Sequence, residues 1–245
     1  MSATDRRTGA RRQILRRHRV VGSLLSVKEP DMKRIMNAHR FPSWSEEIMS
    51  KKTLVILAHP NLAESQINAA WRSRLQEAPG PVTIRNIYEL YPDWNIDVAA
   101  EQALLESHER IFLQFPLYWY STPPLLKKWL DDVLAYGWAY GPGGNRLAHK
   151  EIGLVVSTGS PEGAYQTDGR VGHTLVELLR PLEQTARFVG ARYLPLFALQ
   201  GANHVIPADQ LSRSANDYIE HIRAPHDQDE AAVGHQHRRM ESLSM

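Results

Sequence analysis

The sequence contains no cysteine among its 245 residues. This excludes disulfide bonds, thiolate metal sites and a cysteine nucleophile, although it does not fix the compartment. No run approaches the roughly 18 apolar residues of a membrane-spanning helix. The signatures GxGxxG and GxxxxGK[ST] are also missing, which removes the dinucleotide fingerprint and the P-loop. The whole chain is 42% hydrophobic and 23% charged, the composition of an ordinary globular protein. It predicts a soluble, cytoplasmic protein.

Positive charge is concentrated near the N-terminus. Residues 1–48 hold eleven Lys and Arg against five Asp and Glu, whereas the rest of the chain holds 18 and 22. A mildly acidic body argues against nucleic acid as a partner. The eleven histidines show no ligand spacing for a metal, and His235-Gln-His237 lies in a polar tail where solvation is expected. We therefore expect neither nucleic acid nor a metal.

The first fifty residues are expected to form a basic, disordered extension. Ala10–Arg16 resembles a twin-arginine export signal, and the Arg-rich, acid-free residues 6–27 resemble a transit peptide. The apolar run after the arginines is short and lacks a small-x-small cleavage site, so export or organelle targeting is not favoured. Met49 is an alternative start, because a predicted strand begins soon after it. The predicted organisation is an extension over 1–50, one domain over 51–223 and a disordered polar tail over 224–245.

Short apolar runs alternate five times with segments of helical periodicity. The runs are continuous, which is typical of parallel strands buried on both faces. This alternation predicts a doubly wound α/β fold, and the missing fingerprint favours the flavodoxin-like strand order 2-1-3-4-5. The predicted strands are Thr53–Ala58, Val82–Ile87, Arg110–Phe115, Glu151–Val156 and Arg192–Leu199. The predicted helices cover 65–77, 98–108, the segment from Pro123 to Val133, 174–189 and 207–222.

The stretch from Gln114 to Val133 connects the third strand to a helix. Pro116 ends the strand, and Pro123 stands where the helix begins. The segment between them lies at the carboxyl end of a strand, where open parallel sheets bind ligands. Aromatic rings there suit a planar ligand, although aromatics beside a helix often simply pack in the core. The aromatic residues are Tyr118, Trp119 and Tyr120.

Two other loops are predicted to reach the same edge of the sheet. After strand one, Ser65-Gln-Ile-Asn68 begins a helix whose free N–H groups and dipole attract phosphate. His59 either adds a hydrogen bond or a charge there, or only closes the strand. After strand four, Ser157-Thr-Gly-Ser160 offers small side chains and accessible backbone N–H groups. A phosphate site, an aromatic platform and a polar edge together predict a flavin mononucleotide (FMN) pocket.

Three segments resemble the flavodoxin-like NAD(P)H:quinone oxidoreductases, namely Leu54–Pro60, Phe115–Leu130 and Ser157–Ser160. Glu89–Asp97, Glu101–Leu105 and Gly137–Gly144 extend the likeness, in particular to the ancillary oxidoreductases of glutathione-gated potassium efflux systems. The resemblance covers about residues 53–222. It implies flavin contacts at His59, Ser65, Gln66, Asn68, Leu117, Tyr118, Trp119, Tyr120, Ser157, Thr158, Gly159 and Ser160.

The resemblance also implies a mechanism and an assembly. It implies that NAD(P)H reduces a bound flavin and that a quinone then reoxidises it. The flavin is expected to be FMN rather than FAD, because no adenosine-binding insertion is evident. The implied homodimer has its pocket at the subunit interface, with Trp138 and Tyr140 facing the partner's flavin.

Two residues are candidates for catalysis. Tyr165 stands where these reductases carry a catalytic tyrosine. Their histidine, six residues further on, is here Val171, so either His173 takes that role across a shifted loop or the role is absent. The simpler interpretation makes Tyr165 a substrate-loop residue and His173 a helix cap.

Two other functions are alternatives to an oxidoreductase. The protein is alternatively a regulatory flavin-binding subunit of a potassium efflux antiporter, docked at the membrane face with little turnover. A serine hydrolase is excluded, because Gly159-Ser160-Pro161 cannot supply a GxSxG elbow.

Overall fold

The structure is a computed structural model that describes residues 51–78 and 80–226. The predicted N-terminal extension and almost all of the predicted C-terminal tail lie outside the described residues, so those parts of the organisation stay predictions. Among the described residues, no helix is long and apolar enough to cross a membrane.

A parallel six-stranded sheet forms the centre of the fold. Its order is β2-β1-β3-β4-β5, and β6 also pairs with β4, which confirms the predicted flavodoxin-like order. The predicted fifth strand is in two pieces, because Pro195 lies between them and has no N–H to donate to the ladder. The strands are β1 (Thr53–Leu57), β2 (Val82–Asn86), β3 (Arg110–Pro116), β4 (Glu151–Thr158), β5 (Arg192–Tyr193) and β6 (Phe197–Gln200).

Seven α-helices in the described part of the chain surround the sheet. They are α1 (Gln66–Glu77), α2 (Ile87–Leu90), α3 (Val98–Glu106), α4 (Pro124–Val133), α5 (Leu175–Leu178), α6 (Arg180–Phe188) and α7 (Ala208–Arg223). The single helix predicted over 174–189 is wrong: it breaks at Leu179. Pro181 explains the break, because its ring lacks an N–H and would clash with the carbonyl one turn earlier. The connection predicted after strand two contains the short helix α2.

The two faces of the sheet bury separate apolar cores. Leu54 and Ile56 of β1 face the cluster that contains Trp129 of α4. Val55, between them, faces the opposite cluster, which contains Trp71 of α1 and Tyr218 of α7. This alternation follows from the two-residue period of a strand. Helices therefore cover both faces, as the doubly wound fold requires.

The register brings three loops to one edge of the sheet. Leu57, at the end of β1, pairs with Gln114 of β3. Pro116, at the end of β3, pairs with Ser157 of β4. The segments after β1, β3 and β4 therefore leave the sheet side by side, as the strand order predicts.

Candidate functional site

A cleft of about 530 Å³ opens at this edge. Its volume lies within the roughly 300–1,000 Å³ typical of small-molecule sites. The loops after β1, β3, β4 and β6 contribute to its walls. Eleven of the twelve residues predicted to contact the cofactor line it, namely His59, Ser65, Gln66, Leu117, Tyr118, Trp119, Tyr120, Ser157, Thr158, Gly159 and Ser160.

The N-terminus of α1 forms one end of the cleft. Ser65 caps the helix, and its hydroxyl accepts the Asn68 backbone N–H at 3.1 Å. The first turn contains no acidic side chain, so its remaining N–H groups and the helix dipole favour an anion. Gln66 is tied to the loop after β6, because its Nε2 donates to the His204 carbonyl at 3.4 Å.

His59 contributes to the cleft as a neutral ring. Its Nδ1 accepts the Asn61 backbone N–H at 3.1 Å. Burial lowers the pKa of His59 below its usual value, because a buried site disfavours the charged imidazolium. The residue therefore offers a hydrogen bond rather than a charge at neutral pH.

The aromatic residues belong to a tight turn after β3. The backbones of Tyr118 and Ser121 exchange two hydrogen bonds of 2.9 Å. Between them Trp119 and Tyr120 both have positive φ, 47° and 62°, the pattern of a type I′ turn. Such turns prefer Gly, which lacks a Cβ, and Asn, which tolerates the left-handed region, whereas bulky side chains are strained there. The turn presents its rings to solvent, and Trp119 is 94% exposed.

The segment Ser157–Ser160 forms the opposite, polar wall. Thr158 donates its hydroxyl hydrogen to the Ser160 carbonyl at 2.8 Å, which fixes the bend. The loop after β6 supports this wall, because Asn203 N–H donates to the Gly159 carbonyl at 3.0 Å. A Cβ on Gly159 would come within 2.7 Å of the Asn203 amide, so glycine permits this close approach.

Asn68 lies beneath the cleft rather than in its wall. It is 1% exposed, and its Nδ2 donates to the Ser157 hydroxyl at 2.8 Å. Gln114 donates to the Asn68 side-chain oxygen at 3.3 Å, and Tyr218 donates its hydroxyl hydrogen to Gln114 at 3.3 Å. This buried polar network (Asn68, Gln114, Ser157 and Tyr218) joins α1 directly to β4 through Asn68, and it also ties α1 to β3 and α7 through Gln114. Asn68 thus supports the cleft from below, and its predicted direct contact with the cofactor stays a prediction.

The two predicted catalytic residues occupy different places. Tyr165 lines the cleft and is 7% exposed. His173 is exposed and is not among the residues that line the cleft. It does not cap the following helix either, because Thr174 and Glu177 form that capping box.

Trp138 and Tyr140, expected to face a partner's flavin, lie outside the cleft of this protomer. Trp138 donates its indole N–H to Glu106 at 2.9 Å. Tyr140 packs against Phe188 with a ring separation of 5.4 Å. The part of the chain that the structure describes holds no cluster of three or more His, Asp or Glu suited to a metal ion.

A model of the flavodoxin-like fold family matches residues 51–222. The chain belongs to this flavodoxin-like family. A relative within it, the uncharacterized NAD(P)H oxidoreductase YrkL of Bacillus subtilis (strain 168), is 46% identical over 175 residues, which are 71% of this chain and 99% of YrkL. The glutathione-regulated potassium-efflux system ancillary protein KefF of Citrobacter koseri is 41% identical over 171 residues, 70% of this chain and 95% of KefF.

A solved structure is also similar to this chain. The general stress protein 14 of Treponema denticola, determined in complex with FMN, has a TM-score of 0.66 and 44% identity, covering 70% of this chain and 97% of its own. These relatives confirm the family that the sequence motifs suggested.

Sequence reasoning missed several residues that line the cleft of this flavodoxin-like protein. Asn203 was detectable, because it follows the last strand at the same edge and comes soon after Gly201. Arg170 and Val171 lie in an irregular loop, where no periodicity marks which side chains turn inward. Arg170 donates to the Ser160 hydroxyl at 2.9 Å.

Proposed function

We propose that this protein is an FMN-dependent NAD(P)H oxidoreductase that passes two electrons to a quinone or a similar electrophile. The observation that carries the proposal is one cleft bounded by a helix N-terminus, an aromatic turn and a polar wall. The name of YrkL and the FMN bound by the Treponema protein support it.

The residues of the cleft fit FMN. The first turn of α1, with Ser65 and Gln66, would hold the phosphate, since free N–H groups and the dipole meet there. The Tyr118–Tyr120 turn would hold one face of the isoalloxazine, and the Ser157–Ser160 wall would bond its polar edge. FMN is favoured over FAD because a 44% identical structure contains FMN.

The protein's part in the reaction is to bind, orient and deliver protons. When bound, FMN would supply two-electron hydride-transfer chemistry between NAD(P)H and a second substrate. The Tyr118–Tyr120 turn would exclude water from one side of its ring. Tyr165 is the proposed proton donor, because a quinone that receives one hydride needs one proton to become a hydroquinone and Tyr165 lines the cleft. His173 could contribute only if its loop moved towards the cleft.

A homodimer is part of the proposal. An apolar groove of about 580 Å³ lies between α4 and α6 and is continuous with the cleft at Tyr120. Phe188, 72% exposed, lines the same groove together with Tyr140. Covering these rings would remove a large apolar surface from water.

A second candidate function is regulation of a potassium efflux antiporter. It is supported by the 41% identity to KefF across nearly the whole length of that protein. In this alternative the flavin serves structure or sensing, and turnover is slow. Co-purification with a membrane antiporter would favour it.

The deciding experiment is a visible spectrum of the purified protein, followed by anaerobic NADPH and then menadione. We expect a flavin band that NADPH bleaches and the quinone restores. A band that NADPH leaves unchanged would favour the regulatory alternative. Absence of flavin, even after incubation with FMN, would refute the proposed cofactor site.

A further inference from the structure

Arg170 brings a permanent positive charge to the polar wall of the cleft. Its guanidinium donates to the Ser160 hydroxyl at 2.9 Å. It lines the cleft beside Tyr165 and Val171, and among the described residues that line this cleft it is the only Lys or Arg. The other nitrogen base there, His59, is held neutral by its surroundings.

The position of this charge coincides with a departure in the sequence. The resemblance places a histidine at the position of Val171, which is apolar here. The structure puts His173 outside the cleft wall, so that residue does not supply the missing cation. The guanidinium of the preceding residue, Arg170, does reach the wall.

We propose that Arg170 is a positioning residue that stabilises the negative charge of the reduced cofactor, in place of the histidine absent at position 171. The inference rests on the proposed FMN site. Arg170 is expected to raise the affinity for reduced FMN more than the affinity for oxidised FMN, rather than to strengthen the binding of both equally.

Charge balance gives the physical reason. A hydride carries two electrons and one proton, so a neutral ring that accepts it gains one negative charge until a further proton arrives. Arginine stays protonated at every working pH and can stabilise that charge. Because the Ser160 oxygen accepts the Arg170 N–H, the serine hydroxyl hydrogen remains free to donate towards the ring.

The expected magnitude is modest because Arg170 is exposed. Solvent screening weakens a charge at the surface, so we expect roughly a tenfold effect on the relative affinity for the two redox states. For a two-electron couple, a tenfold change corresponds to about 30 mV in midpoint potential.

The test compares the dissociation constants of oxidised and reduced FMN, measured anaerobically, in wild type and Arg170→Gln. We expect the variant to bind oxidised FMN nearly as wild type and reduced FMN about tenfold more weakly, with a midpoint potential about 30 mV lower. Arg170→Lys keeps the charge and should keep most of the preference. Arg213→Gln removes an equal charge from α7, at a residue that does not line the cleft, and should leave the ratio unchanged.

Ser160→Ala provides a second variant, because it removes the hydroxyl that Arg170 contacts. It should lower the preference for reduced FMN by a smaller factor, about threefold. An unchanged ratio in both Arg170→Gln and Ser160→Ala would overturn the inference. The inference would also be overturned if Arg170→Gln raised the dissociation constants of oxidised and reduced FMN by the same factor. A variant that changed only the Michaelis constant for NADPH relative to that for NADH would overturn it as well. If wild type binds FMN in neither state, the proposed function itself fails.

Discussion

The aromatic turn is expected to lower the stability of the flavin-free protein. Trp119 and Tyr120 adopt positive φ without being glycine. Each such residue costs on the order of 1–3 kcal/mol, and the surrounding structure must offset that cost. Trp119 is 94% exposed, so its ring contributes little burial in return. We therefore expect the turn to hold its rings in place for a ligand rather than for the fold.

Replacing Trp119 by Asn should separate these two effects. Asparagine tolerates the left-handed region, so we expect the free energy of unfolding of the flavin-free protein to rise by about 1 kcal/mol. A domain of this size should then melt roughly 2–4 °C higher. Loss of the ring should cost about 1.4 kcal/mol of stacking, which weakens FMN binding about tenfold.

Urea denaturation of the flavin-free protein and titration with FMN measure the two quantities. With an m-value of about 2 kcal/mol/M, the midpoint should rise by roughly 0.5 M urea. Trp119→Phe keeps both the strained backbone and a ring, so it should leave stability unchanged and retain most of the affinity. A Trp119→Asn protein that is no more stable than wild type would refute the argument from strain. Undiminished FMN affinity would refute the assignment of the turn to the cofactor.

Three further predictions concern buried groups. Asn68→Leu leaves the Ser157 hydroxyl without its Asn68 donor and removes one acceptor of the Gln114 amide, so it should cost about 1–3 kcal/mol in urea denaturation and raise the dissociation constant of FMN. Unchanged FMN affinity would show that the buried polar network does not shape the cleft. Glu101 is fully buried and accepts hydrogen bonds from Arg85, Tyr91 and Trp129. Glu101→Ala should therefore cost about 3–5 kcal/mol, against less than about 1 kcal/mol for the exposed Asp131→Ala; equal losses would contradict this. Burial, helped by His226 and Arg110, lowers the pKa of His221 from 6.5 to about 4. The unfolded chain therefore takes up this proton first, and stability should fall as pH drops from about 6.5 to about 4, by on the order of 1–2 kcal/mol after allowance for solvent screening. A His221→Gln variant that keeps the same decline would assign it to other groups.

The parts of the fold that follow from local pattern were predictable. Continuous apolar runs such as Thr53–Leu57 identify buried parallel strands, and the order of connections limits the topology to few choices. The sequence analysis did not predict the breaks at Leu179 and Pro195. Whether a proline interrupts a helix or strand depends on which carbonyl would have accepted its missing N–H, and that carbonyl is known only from the fold. Helical periodicity continues across Leu179, so the pattern alone conceals the break.

The site was predictable to the extent that strand ends determine it. Eleven of the twelve predicted contact residues line the cleft, because they lie at the carboxyl ends of strands, or in the connections that leave those ends, and the strand register brings these together. Asn68, one helical turn from the cap, points towards the sheet and donates to Ser157, so its direct contact with the cofactor stays a prediction. The sequence could not show that Arg170 reaches the cleft and His173 does not, because the path of an irregular loop depends on contacts such as that of Arg170 with Ser160.

These observations suggest a division of labour within the cleft. The buried polar network links the N-terminal turn of α1 to the polar wall through Asn68, which is buried and bonds to both Ser157 and Gln114. The aromatic turn is closed by its own pair of backbone hydrogen bonds and carries the strained φ angles. Changes in the network should therefore affect folding and binding together. Changes in the turn should affect them in opposite directions, which is the pattern expected where a protein gives up stability to hold a binding surface in place.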